Sequence, residues 1–450
     1  MSSMTGSDLW DKSARQQALA QLTRKSAYPV RGRVHKVVGP MLEASGLSVE
    51  VGRACRVQLS SKQDVEAEVV GFRGDYTLLM PVGLTRGIAP GNPVQPTPGA
   101  ASIHISDALL GRVLDACGRP LDGMPLALEG EPFPIHRRPP NPMARQLIDE
   151  PMHLGVRALD ACLTMGWGQR MGLFAGAGVG KSTLLGMLAR NSDAEINVIA
   201  LVGERGRELR EFLERALGEE AMSRCIVVVA TSDAPPLMRV RAALAATTIA
   251  EAFRDRGRRV MLLMDSLTRF LQAQREIGLM LGEPPTSKGY TPSCFSMLAE
   301  LIERAGPGDG GGNLSALYTV LVEGDDLTDP VADAALAVLD GHVVLDRRLA
   351  ERGHFPAIHI LGSVSRLANS LTSRDVQGAA RSLREELALF ERMEDMVNMG
   401  AYEQGSNPRL DRVIERLPAI REFLTQDPEH ATSLKEGQSA LISLMEENHG

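Results

Sequence analysis

A chain of 450 residues, at roughly 150 per domain, implies about three domains and a large buried core. Its 49 Lys and Arg against 56 Asp and Glu leave a net charge of −7, and only 4% of residues are aromatic. That balance disfavours a broad phosphate-binding surface or an array of base-stacking platforms, so no nucleic-acid partner is expected. With 44% hydrophobic and 23% charged residues the chain falls in the ordinary globular range, and its longest apolar runs fall far short of a membrane span of roughly 18 residues.

The first 26 residues are polar and rich in Gln and Ala, a partner-binding or disordered segment in which residues 8–22 show only a partial apolar stripe. No basic stretch followed by an apolar one opens the chain, so no secretory signal is read and a cytoplasmic location is expected. Five cysteines, Cys55, Cys117, Cys162, Cys225 and Cys294, are scattered without a Cys-x-x-Cys pair; they are expected to be small core residues and not a disulfide framework or zinc site. Residues 27–98 carry short β-like runs, at 34–38, 48–57, 65–69 and 77–80, with Phe72-Arg73-Gly74-Asp75-Tyr76 as a tight connection. They predict a small β-barrel domain. The prolines at 132, 134, 139, 140 and 142 predict a linker or domain edge.

Within residues 99–366, apolar runs near 171–175, 196–203, 226–230, 260–264, 314–322 and 343–345 alternate with helical segments. Such alternation predicts an α/β domain with a mostly parallel sheet covered on both faces. Residues 306–312, glycine-rich but without Lys, read as a flexible loop. From 367 to 450 the period becomes helical: Val376, Ala380, Leu383, Leu387, Phe390 and Val397 form one stripe stopped by Gly400. A second helix near 410–417 is expected to break at Pro418, and a third to open at Ser433 with Glu436 completing a capping box.

The sharpest chemical signal is Ala175-Gly176-Ala177-Gly178-Val179-Gly180-Lys181-Ser182-Thr183 between a predicted strand and a predicted helix. The glycines let backbone N–H groups curl round phosphates, Lys181 reaches their outer oxygens, and the Ser182 hydroxyl is suited to Mg²⁺. This is a P-loop, with Ala175 in place of the first glycine of the strict pattern. Asp265 closes an apolar strand, where a carboxylate is placed to position the Mg²⁺ shell. Glu204 closes the strand after the P-loop helix, where a second carboxylate can orient the attacking water; a charge-paired Glu among Arg205, Arg207 and Arg210 is the simpler alternative.

At these residues the chain resembles the rotary-type hexameric ATPases, and among them the type III protein-export ATPases, with the flagellum-specific branch nearest. The phrases that carry the resemblance are Gly203-Glu204-Arg205-Gly206-Arg207-Glu208, Met264-Asp265-Ser266-Leu267-Thr268-Arg269, Gly282-Glu283-Pro284-Pro285 through Gly289-Tyr290, Glu323-Gly324-Asp325-Asp326, Arg352-Gly353-His354-Phe355-Pro356 and Ser363-Val364-Ser365-Arg366. The resemblance implies a RecA-like core, ATP and Mg²⁺, Lys181 and Ser182 on phosphate and metal, Glu204 as catalytic carboxylate with Arg205 beside it, and Asp265 as the acid of the metal shell. It implies that Phe355 stacks on adenine and that Arg366 reaches a neighbouring subunit's site.

Because Glu204 and Arg366 sit on one chain, a homohexamer in which every interface is catalytic is expected. The resemblance further implies a stator-like regulator at the N-terminal segment, export chaperones and their substrates, and a membrane export gate at the cytoplasmic face of the inner membrane. A virulence-secretion ATPase, a catalytic synthase subunit, a nucleotide-binding subunit without chemistry and a hexameric RNA translocase are the alternatives.

Overall fold

A computed structural model describes residues 31–59, 64–83, 85–126, 130–322 and 328–446. The expected N-terminal partner-binding segment and the phrase Glu323-Gly324-Asp325-Asp326 lie outside them. The chain divides into two compact units, one through Ala101 and the other from Ser102.

In the first unit six strands close a barrel: β1 (Gly32–Val38), β2 (Met41–Ser45), β3 (Arg53–Gln58), β4 (Asp64–Arg73), β5 (Tyr76–Pro81) and β6 (Pro93–Ala100), in spatial order β1-β2-β5-β4-β3-β6. Closure removes the free edges that an open sheet of this size would expose. Val34, Leu42, Ala44, Val57, Ala67, Val69 and Leu79 fill the interior. The run from 48 does not begin a strand, because Gly52 turns the chain at φ +82 and leaves Val51 exposed, so β3 starts at Arg53. The strand β2, which carries no clean alternation since Met41, Leu42, Glu43 and Ala44 are all buried, was not legible in the pattern.

The second unit is built on a mostly parallel sheet, whose parallel strands are β7 (Val113–Asp115), β8 (Arg170–Ala175), β9 (Ile196–Glu204), β10 (Cys225–Thr231), β11 (Arg259–Asp265), β12 (Asn313–Leu321) and β13 (Gly341–Leu345). A short antiparallel strand, β14 (Val364–Ser365), closes one edge, giving the order β14-β13-β8-β12-β11-β9-β10-β7. Its strands are apolar along nearly their whole length because both faces are covered. Ile199, Leu201, Val227, Val229, Met261 and Leu263 join one core with helix α1 (Lys181–Asn191). The intervening Val198, Ala200, Val228 and Leu262 are buried on the opposite face, where α2 (Pro236–Asp255) packs on β9, β10 and β11.

The helices α3 (Leu267–Leu281) and α4 (Pro292–Glu303) follow β11. Three further helices follow, α5 (Arg374–Asn398), α6 (Pro408–Leu424) and α7 (Leu434–Glu446). They share the first core through Leu383, Ile420, Phe423, Leu441 and Met445. Pro418 does not break α6: it faces solvent while Leu417, Ile420, Phe423 and Leu424 bury the other side, and that burial outweighs a proline penalty of about 3 kcal/mol. Ser433 and Glu436 form the expected capping box, Ser433 N donating to Glu436 Oε2 at 3.0 Å and Glu436 N to Ser433 Oγ at 3.3 Å.

The proline passage is not wholly a linker, since Glu131–Pro134 pairs antiparallel with Ser102–Ile105. The glycine loop is also more ordered than expected: Gly306–Pro307 pairs with β12, and Gly308 N donates to Gly312 O at 2.8 Å, leaving only the tip at 309–311 exposed. All five cysteines are free thiols, four buried and Cys117 half-buried. Among the described residues no helix is long and apolar enough to cross a membrane.

Candidate active site

Parallel strands set their C-terminal ends along one rim, and the chemistry follows directly from those ends. After Ala175 of β8, residues 176–180 turn into α1. Gly178 and Gly180 hold φ +78 and +87, a region closed to most side chains. At Gly180 space is short as well, for a Cβ there would stand 3.3 Å from the Phe355 ring. Val179 is buried and anchors the loop, whereas Ala177 and Gly178 form its exposed tip. Ser182 and Thr183 stand exposed on the first turn of α1, at the positive end of the helix.

Lys181 Nζ donates to Asp265 Oδ1 at 2.5 Å and lies 3.6 Å from Glu204 Oε1. Asp265, the buried last residue of β11, also accepts from Thr319 Oγ1 of β12 at 2.6 Å. Glu204 ends β9, and Gly203 before it takes φ +72 with its α-carbon face closed by the Arg269 side chain. Burial, then the negative charge of Asp265, hold the Glu204 carboxyl above the usual carboxylate range, while Lys181 and Arg269 pull the other way. A basic, poorly solvated carboxylate next to a phosphate cradle is suited to hold the proton of a water.

Ser182, Glu204 and Asp265 line one cleft, with Arg205, Glu208 and Phe212 at its sides. The donor set fits Mg²⁺, a hard cation that takes one or two protein oxygens together with phosphate and water. Among the described residues no group of three or more His, Cys, Asp or Glu gathers to hold a metal by itself.

The remaining candidates take no part in the contacts among Lys181, Glu204 and Asp265. Arg205 is 67% exposed and turns to Glu208 Oε1 at 3.3 Å. Phe355 is partly exposed, its ring against Gly180. Arg366 follows β14, which pairs with Gly341 and His342 at the start of β13, so it stands at the rim opposite to the P-loop. Its side chain is exposed and donates to Leu336 O at 3.3 Å. Two residues were not singled out from sequence. Thr319 is signalled only by a hydroxyl within an apolar strand, and Arg269 only by its place in the phrase after Asp265.

Three family models match the chain: the nucleotide-binding domain of the ATP synthase alpha/beta family over residues 155–365, the beta-barrel domain of the same family over 34–98, and the T3SS EscN ATPase C-terminal domain over 372–443. The flagellum-specific ATP synthase of Bacillus subtilis is 48% identical over 93% of this chain and 96% of its own length. The type 3 secretion system ATPase of Xanthomonas euvesicatoria is 45% identical over 92% and 94%. The assembled ATPase EscN from the type III secretion system of enteropathogenic E. coli superposes with a TM-score of 0.87 at 40% identity, covering 92% of this chain and all of that one. Barrel, P-loop sheet and C-terminal helices thus each have a counterpart, and the chain belongs to the ATP synthase alpha/beta family as an ATP-hydrolysing enzyme of its type III secretion branch.

Proposed function

We propose that this enzyme is the ATP-driven motor of a flagellar type III protein export apparatus, releasing substrates from their chaperones and promoting their unfolded passage to a membrane gate. The observation that carries the hydrolytic reading is the meeting of Lys181, Glu204 and Asp265 in the cleft that Ser182 also lines. The backbone N–H groups of residues 176–183 and Lys181 bind the phosphates, and Phe355 offers its face to the base. Glu204 accepts a hydrogen bond from the attacking water, aims it at the γ-phosphorus, and holds the proton as the bond to ADP breaks. Ser182 and Asp265 would hold Mg²⁺, which supplies charge neutralisation on the phosphates.

Arg366, exposed at the far rim, serves a neighbouring copy, so the working form is a homohexamer with a complete site at each interface. An arginine delivered this way is worth about 10³- to 10⁵-fold in rate, and a lone protomer would hydrolyse ATP slowly. Arg205, at the cleft's lip, assists beside Glu204. A stator-like regulator docks on the N-terminal segment, and the assembly works at the cytoplasmic face of the inner membrane. A related solved structure holds EscN with its central stalk EscO, which supports a stalk partner for this chain.

A chromosomal Glu204→Gln replacement tests the reading. Loss of flagellar hook and filament export with virulence secretion intact is expected; the reverse would assign the chain to a virulence system, the reading favoured by its similarity to EscN. Cooperative ATPase activity from the chain purified alone, rising with assembly, would exclude a synthase subunit that needs a second chain type.

A further inference from the structure

The end of α6 is tied to the segment that carries Phe355. Gln426, two residues past that helix, is bonded through its backbone N and through both polar atoms of its side chain. Its backbone N donates to Phe355 O at 3.0 Å. Its side-chain Oε1 accepts from Arg157 N at 2.8 Å, and Nε2 donates to Gly155 O at 2.8 Å and His430 O at 2.6 Å. Arg157 answers in the other direction: Nε donates to Phe423 O at 2.6 Å, and Nη2 donates to Glu422 O at 2.8 Å and Thr425 O at 2.6 Å. These carbonyls lie at the helix end, where the last turn has no intrahelical donors and the dipole favours a cation. The guanidinium also lies over the Phe423 ring, 5.4 Å from its centroid.

The loop that Gln426 grips is itself a fixed reference. Buried Asp160 accepts from Leu154 N and Gly155 N, each at 2.9 Å. Gly155, at φ +73, has its α-carbon pressed against Asn191, the last residue of α1. The P-loop helix thus abuts this loop at its end, and Phe355 abuts Gly180 at its start. Gln426 and Arg157 join those two places to α6. Phe355 is 42% exposed, so packing holds its ring only in part, and its backbone carbonyl is tied to Gln426 N.

We propose that Gln426, braced by Arg157, is a positioning residue for the Phe355 base platform, so that the seating of α6 sets how well the nucleotide base is stacked. This rests on the reading of Phe355 as the base-stacking residue. Releasing the Gln426 side chain frees the Phe355 carbonyl to shift and weakens stacking, while the phosphate cradle, held by β8 and α1, is left as it was.

The test uses the full chain in its assembled form, with the KM for ATP read beside the Ki of inorganic tripolyphosphate, a competitor that has phosphates and no base. Gln426→Ala is expected to raise the ATP KM about fivefold, the worth of roughly one aromatic stacking contact, and to leave the tripolyphosphate Ki unchanged. Gln426→Glu keeps the size but loses both amide donations, to Gly155 and His430; the same KM rise is expected, so the test survives misfolding of the alanine variant. Phe355→Ala is the reference. If it raises the ATP KM and Gln426 variants do not, the positioning role is overturned while the platform stands. If Phe355→Ala leaves the KM unmoved, the platform reading itself fails and the inference with it. A Ki that rises in step with KM in the Gln426 variants, but not in Phe355→Ala, would show general distortion and overturn the proposal. A double variant no worse than Phe355→Ala alone supports it.

Discussion

Replacing Glu204 with Gln should separate binding, turnover and stability in a single protein. The carboxylate stands 3.6 Å from Lys181 Nζ, an attraction of about 4 to 5 kcal/mol at an effective dielectric constant near 20. Burial and the neighbouring Asp265 oppose that attraction, and since the carboxyl is held above its usual range the penalties win. A neutral amide removes both. The folded protein without nucleotide should therefore gain stability, visible as a higher thermal midpoint. Turnover should nevertheless fall by about 10²- to 10⁴-fold, the usual worth of a positioned base, or roughly 3 to 5 kcal/mol of barrier. Nucleotide affinity should be retained, because the loop of Gly176, Gly178, Gly180 and Lys181 is untouched. Steady-state ATPase rates, a fluorescent-nucleotide titration and a melting curve measure the three quantities. A kcat within tenfold of the parent, or a lowered melting point together with lost affinity, would refute the reasoning.

The same carboxyl predicts a pH limb. In the proposed role Glu204 acts ionised, its carboxyl is held above the usual carboxylate range, and the rate should fall as pH drops through that raised value; the limb should be absent from residual Glu204→Gln activity. Arg366→Ala should lose the part of the activity that grows with protein concentration, and mixing it with Glu204→Gln should restore some turnover at mixed interfaces; no recovery in a coupled ATPase assay counts against the trans arrangement. Away from the site, Arg304 and Glu251 form a pair, each 2% exposed, at 2.7 Å. Glu251→Leu should cost about 3 to 5 kcal/mol in denaturant unfolding because it strands a buried guanidinium, and Arg304→Met with Glu251→Leu should recover most of it. Gly180→Ala should lose nucleotide binding, since φ +87 and the Phe355 ring at 3.3 Å both resist a methyl group.

Local pattern carried much of the architecture into view. Nearly continuous apolar runs marked the parallel strands because a sheet covered on both faces needs no polar alternation. The same logic hid β2, where burial of Glu43 with its neighbours erases the period. It also misread the chain at Pro418, where one exposed proline matters less than the packed face behind it. The Pro-rich passage pairs with Ser102–Ile105, a partner far off in sequence that leaves no local trace, whereas the glycine loop is ordered by backbone bonds to the strand that directly follows it, which side-chain composition does not reveal.

By itself the sequence singled out the residues proposed to bear the chemistry, since glycine spacing, the Gly-Lys-Ser core and strand-ending acids are local requirements of phosphate binding. Only the tertiary structure decided how they meet. It brought Lys181 between Glu204 and Asp265, supplied Thr319 from another strand, and put Arg366 at the rim opposite to its own P-loop. It also joined Gln426 to Phe355, far apart in the chain. Strand order and helix docking are set by burial summed over the whole core, and no short stretch of sequence encodes that sum.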